Sequence, residues 1–100
     1  MQFVLSDALK DYMLQKNKRN IIVEVAQSDG SDFEITELHT HFVSDKQADL
    51  FIKRQGFHSY DTEFGKVLLP NYRLDYDDII SFDLRRFLFV NTIKVTGISL

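Results

Sequence analysis

The chain contains no cysteine. It can form no disulfide, carry no thiolate nucleophile or redox thiol, and offer no sulfur ligand to zinc or to an iron–sulfur cluster. Tryptophan is absent as well, proline occurs once, at Pro70, and glycine only four times, at 30, 56, 65 and 97. Four scattered glycines build neither a phosphate-cradling loop nor a dinucleotide turn, and no Gly-x-Ser-x-Gly elbow presents a serine nucleophile. Basic residues are not in excess: 12 Lys and Arg stand against 15 Asp and Glu, a net charge of −3. A nucleic-acid partner, which needs a basic face to displace phosphate counterions, is therefore not expected. No apolar run approaches the roughly 20 residues that cross a bilayer, so a membrane partner is not expected either. Residues Met1 to Asp7 lack the basic segment and long apolar stretch of a secretory signal, and a cytoplasmic protein is the default expectation.

What remains is the composition of a folded domain: 44% hydrophobic and 27% charged residues in a chain of 100. Nine Phe and four Tyr let so short a chain bury much apolar surface with few side chains. One domain over residues 1–100 is expected, with no linker, repeat or low-complexity stretch.

Gln2 to Leu5 reads as a short strand. Ser6 then serves as an N-cap with Asp7 favourable in the first turn, and Ala8, Leu9, Tyr12 and Met13 share one helical stripe. Lys16, Lys18 and Arg19 suit the negative end of that helix, with Asn17 and Asn20 as terminators; helix-end charge in solvent is the plain reading of this cluster. Ile21 to Ala26 is β-branched and apolar, hence a central strand. A turn over Ser28 to Asp32, with Asp29-Gly30 supplying positive φ, leads into a returning strand from Phe33 to Val43. Ser44 and Gln47 form a capping box for a second helix closed by Gly56. Phe57 to Glu63 reads as a loop, Phe64 to Leu69 as a strand stopped by Pro70, and Asn71 to Asp78 as a turn region. Ile79 to Leu84, Phe87 to Val90 and Thr92 to Leu100 read as strands, the last two joined near Asn91. The expected fold is α+β: a mostly antiparallel, twisted sheet of about six or seven strands with two helices.

The sharpest local pattern is His39-x-His41. Residues two apart on a strand face the same way, and Glu37 joins them. Two imidazoles and a carboxylate, with His58 or an acidic residue completing the set, could hold a divalent metal; a solvated polar strand face is the competing reading. His58 and Asp61, near Tyr60 and Glu63, could in principle serve a small hydrolytic site, though no spacing demands it. The acidic residues Asp75, Asp77, Asp78 and Asp83 read as turn and rim positions, because neighbours on an extended chain diverge. No catalytic or cofactor-binding residue is assigned, and no cofactor is expected.

Taken in order, the short strand, the Ser-capped helix, the apolar strand and the segment Gln27 to Phe33 leading into a long strand resemble the front half of HesB-like A-type iron–sulfur carriers. In that family the turn reads roughly Gly-Cys-Ser-Gly-Phe/Met; Ser31 and Phe33 fit, while Gly30 falls where the ligating cysteine would stand. Lys66 to Pro70, followed by Tyr72 and Leu74, resembles the family's second strand and turn. The resemblance implies a HesB-like sheet. The family's Cys-x-Cys pair near the C-terminus has no counterpart in Thr96-Gly97-Ile98-Ser99-Leu100, so the implied cluster chemistry is lost, and the helix after Ser44 departs from the family pattern.

The expectation for function is a non-enzymatic protein-interaction module. It rests on the C-terminal stretch Phe82, Phe87, Leu88, Phe89, Val90, Ile93, Val95 and Ile98, in which four consecutive apolar residues would make both faces of a strand apolar. The partner would be another protein or a second copy, in a homodimer. The alternative is a metal-binding protein using Glu37, His39, His41 and His58.

Overall fold

The computed structural model describes residues 1–29 and 34–100. Of the turn expected over Ser28 to Asp32, Ser28 and Asp29 are strand residues paired with Ile35 and Glu34, while Gly30 to Asp32, with Ser31 and Phe33 of the family resemblance, lie outside the described residues. The elements run β1 (Gln2–Leu5), α1 (Asp7–Lys16), β2 (Asn20–Asp29), β3 (Glu34–Val43), α2 (Asp45–Gln55), β4 (His58–Thr62), β5 (Gly65–Leu69), β6 (Asp75–Phe87) and β7 (Val90–Ser99). The α+β class and its two helices are those the sequence implies. The strands fall into a three-stranded sheet, β1-β6-β7, and a four-stranded sheet, β3-β2-β5-β4. Three pairings are antiparallel, while β1–β6 and β2–β5 are parallel.

Both helices begin and end on their expected caps. The Ser6 hydroxyl accepts a hydrogen bond from the Leu9 amide, and Asn17 takes the left-handed conformation that closes α1. At α2 the Ser44 side chain accepts from the Gln47 amide at 3.1 Å, while the Gln47 side chain accepts from the Ser44 amide at 3.0 Å. Gly56, at φ +69°, ends that helix.

The main core lies between the sheets. Leu5 from β1, Leu9 and Met13 from α1, Ile21 and Val23 from β2, Val67 and Leu69 from β5, Ile80 and Phe82 from β6 and Ile93 from β7 are all buried in it. Each such side chain contributes roughly 1.5–3 kcal/mol by leaving water. Leu38 and Phe42 of β3 turn to this side, and Tyr12 stacks on Phe42 at 5.9 Å. On the other face of the four-stranded sheet, α2 sets Ala48, Phe51 and Ile52 over Ile22, Val43, Phe57 and Leu68.

Two glycines are required by backbone contact. A Cβ at Gly65 (φ +129°) would stand 1.6 Å from the Arg19 carbonyl oxygen. One at Gly97 (φ +94°) would stand 2.4 Å from the Ile79 carbonyl oxygen, at an irregularity where residues 77–80 of β6 oppose Gly97 alone.

Three sequence expectations change. Residues 58–62 form edge strand β4 rather than a loop; as an outer strand its residues are mostly exposed, which hid the alternation. The expected turn over Asn71 to Asp78 ends early, because Asp75 and Tyr76 already pair with Ser99 and Ile98. The Phe87–Val90 run is not a strand. Phe87 pairs with Val90, and Leu88-Phe89 is the two-residue turn of the β6–β7 hairpin. A short apolar run carries no periodicity that separates a strand from an apolar turn.

Candidate functional site

The β2–β3 register decides the histidine question. Ile22 stands opposite His41 and Glu24 opposite His39, so His39, His41, Glu37 and Glu24 share the face of the four-stranded sheet that α2 partly covers. His41 Nε2 lies 2.5 Å from a Glu24 carboxylate oxygen, and His39 Nε2 lies 3.4 Å from a Glu37 oxygen. Such cross-strand and same-strand polar contacts are ordinary on a solvated strand face. His58 is elsewhere. It pairs with Leu69, whose side chain belongs to the core between the sheets, so His58 lies two strands away from β2 and on the opposite face. The four expected ligands Glu37, His39, His41 and His58 are therefore not brought together, and among the described residues no three His, Asp or Glu side chains form a group that could hold a metal ion. Glu24, which sequence reading did not connect with His41, could be found only from the register.

His58 and Asp61 are three apart on β4 and face opposite sides, which removes the hydrolytic pairing. Asp75, Asp77 and Asp78 are exposed along the irregular start of β6. Asp83 is exposed too; the Ser6 hydroxyl, and next the Leu84 amide at 2.8 Å, hold its carboxyl below the ordinary carboxylate range. Burial, and secondarily Tyr60, push the Tyr76 phenol upward, so it stays a neutral hydroxyl.

The remaining feature is the β6–β7 hairpin tip. Phe87, Leu88, Phe89 and Val90 are 71%, 77%, 96% and 59% exposed. Leu88 holds a left-handed backbone at φ +54°, a conformation that costs a side-chain-bearing residue about 1–2 kcal/mol and that glycine adopts freely. The chain thus keeps a strained leucine beside a nearly bare phenylalanine, where a glycine and a polar residue would fold better. Arg85 and Arg86 precede the tip on successive, oppositely facing positions, so both faces of the hairpin carry a cation behind the apolar end.

A second surface feature lies beside β1. Met1, Phe3, Val4 and Phe64 line an open cleft of about 650 Å³ between β1 and the β4–β5 turn, with Asp61 and Glu63 among its walls. Phe3 packs on Tyr60 at 5.3 Å, and the Lys10 ammonium sits 5.2 Å over the Phe64 ring.

No family model matches the sequence. No curated protein matches it either. Among solved structures, the chain is similar to Escherichia coli SufA, described as involved in biosynthesis of iron-sulfur clusters, with a TM-score of 0.47 and 13% identity over 96% of this chain and 80% of that one.

Proposed function

We propose that this protein is a non-enzymatic interaction module that works through a protein–protein contact made by the β6–β7 hairpin tip, and that its first partner is a second copy of itself. The observation that carries this reading is the exposed Phe87-Leu88-Phe89-Val90 turn, held with strain at Leu88. Exposed aromatic and aliphatic side chains clustered at one point give up water on docking, and hot spots of protein interfaces are built from such anchors. The two-residue turn needs a positive φ at its first position, and filling that position with leucine where glycine would carry no strain points to use of the side chain rather than to stability. Cluster carriage through thiolates, the chemistry associated with the resembling family, has no ligand here.

Light scattering over a wide concentration range tests the reading. Wild type should rise above monomer mass with concentration, and Leu88→Gly/Phe89→Ser should stay monomeric while remaining folded. A wild type that keeps monomer mass throughout contradicts it.

A further inference from the structure

The hairpin tip needs a receiving surface, and the structure contains one of complementary character. We infer that the tip of one copy docks into the Phe3–Phe64 cleft of a second copy, the two copies exchanging tips reciprocally about a two-fold axis. This rests on the self-association proposed above and names the surface that receives the tip.

Three observations meet here. The first is shape and polarity: the tip is convex and apolar, and the cleft, of about 650 Å³, is concave and walled by Met1, Phe3, Val4 and Phe64. A pocket of that size falls within the range that encloses drug-sized ligands, and so can take an aromatic and an aliphatic side chain. The second is charge. Arg85 and Arg86 lie immediately behind the tip, and Asp61 and Glu63 are exposed along the cleft. Among the described residues none of these four side chains stands in an ion pair, although Lys66 lies opposite Asp61 in the β4–β5 register. Lys10 also lines the cleft, with its ammonium over the Phe64 ring, so the cleft offers two carboxylates and one cation to the arriving guanidinium groups. The third is reach. The last β1–β6 partner is Leu5↔Phe82, and Leu88 lies six residues further along the hairpin, roughly 20 Å at the rise of a strand. The tip cannot fold back into the cleft beside its own β1, and only another molecule can supply it. Each copy offers one tip and one cleft, so reciprocal exchange closes the assembly at two copies and leaves no free tip to propagate a fibre.

The closing experiment is a charge swap on the full chain, read by sedimentation equilibrium. Arg85→Glu/Arg86→Glu places acids behind the tip, and Asp61→Lys/Glu63→Lys places bases in the cleft. Each variant alone meets like charge at both contacts and should self-associate roughly ten-fold or more weakly than wild type. An equimolar mixture is complementary at both contacts and should recover the dimer. If wild type dimerises and the arginine variant weakens it while Asp61→Lys/Glu63→Lys dimerises normally, the tip docks elsewhere: the inference fails and the interaction module stands. If each variant is impaired but the mixture stays monomeric, the pairing of tip with cleft is likewise overturned. If wild type is monomeric at every concentration, both readings fall. Flotation with vesicles of mixed neutral and anionic phospholipid, by a wild type that stays monomeric, would assign the tip to a bilayer and overturn self-docking.

Discussion

Asn20 is the buried polar side chain among the described residues, 2% exposed, and it is fully used. Its amide donates to the Val43 carbonyl at 3.3 Å and to the Asp45 carboxylate at 2.7 Å, and its oxygen accepts from the Lys66 amide at 3.1 Å. One residue thereby ties β2 to the end of β3, the start of α2 and β5. Asn20→Ala leaves a carbonyl and an amide without partners and should cost about 2–3 kcal/mol in urea unfolding; a loss below about 0.5 kcal/mol would mean that water replaces the amide without penalty. In the sequence this residue reads only as a possible helix terminator, because nothing local distinguishes an asparagine that ends a helix from one that bridges strands. Asp83 offers a test by pH. Its carboxyl is held below its ordinary value by Ser6 first and Leu84 second, so the ionised form is favoured by folding. The resulting stabilisation is complete above the unfolded value of 3.8 and disappears as pH falls through the lowered folded value. The stability difference between wild type and Asp83→Asn should therefore narrow as pH is lowered from about 5 to about 2; a difference that holds constant over that range contradicts the assignment.

At the scale of elements, what could be read from the sequence follows from where the determining contacts lie. Caps are local, so Ser6, Ser44, Gln47 and Gly56 announce both helices within a few residues of their ends. Ser44→Ala, which removes one bond of the capping box, should cost about 1 kcal/mol by thermal or chemical unfolding, and no change in midpoint would show that α2 is held by packing alone. The alternation of Leu38, Thr40 and Phe42 against His39 and His41 is also local and holds from Leu38 to Phe42. Strand order is not local. The parallel pairing of β2 with β5 places Ile21 beside Val67, and it needs Gly65 to pass the Arg19 carbonyl. That glycine reads as an ordinary turn residue until both segments are seen together. The separation of His58 from His39 and His41 is equally a matter of topology, since the answer depends on which strands lie between them. The apolar tip escaped for a different reason: its turn begins with leucine at a position that favours glycine, so composition offered no turn signal at all.

At the scale of the whole molecule, stability and contact pull in opposite directions at one place. The core between the sheets and the smaller cluster under α2 account for the burial that holds the fold, and neither includes Phe87, Leu88, Phe89 or Val90. Removing the apolar tip should leave the fold intact and relieve the strain at Leu88. The most direct measurement is therefore a paired one on Leu88→Gly/Phe89→Ser: unfolding free energy and solution mass, both against wild type. The account predicts a variant about 1 kcal/mol more stable as a monomer and unable to self-associate. A variant that is less stable, or that associates as wild type does, would show that the tip serves the fold and not a partner.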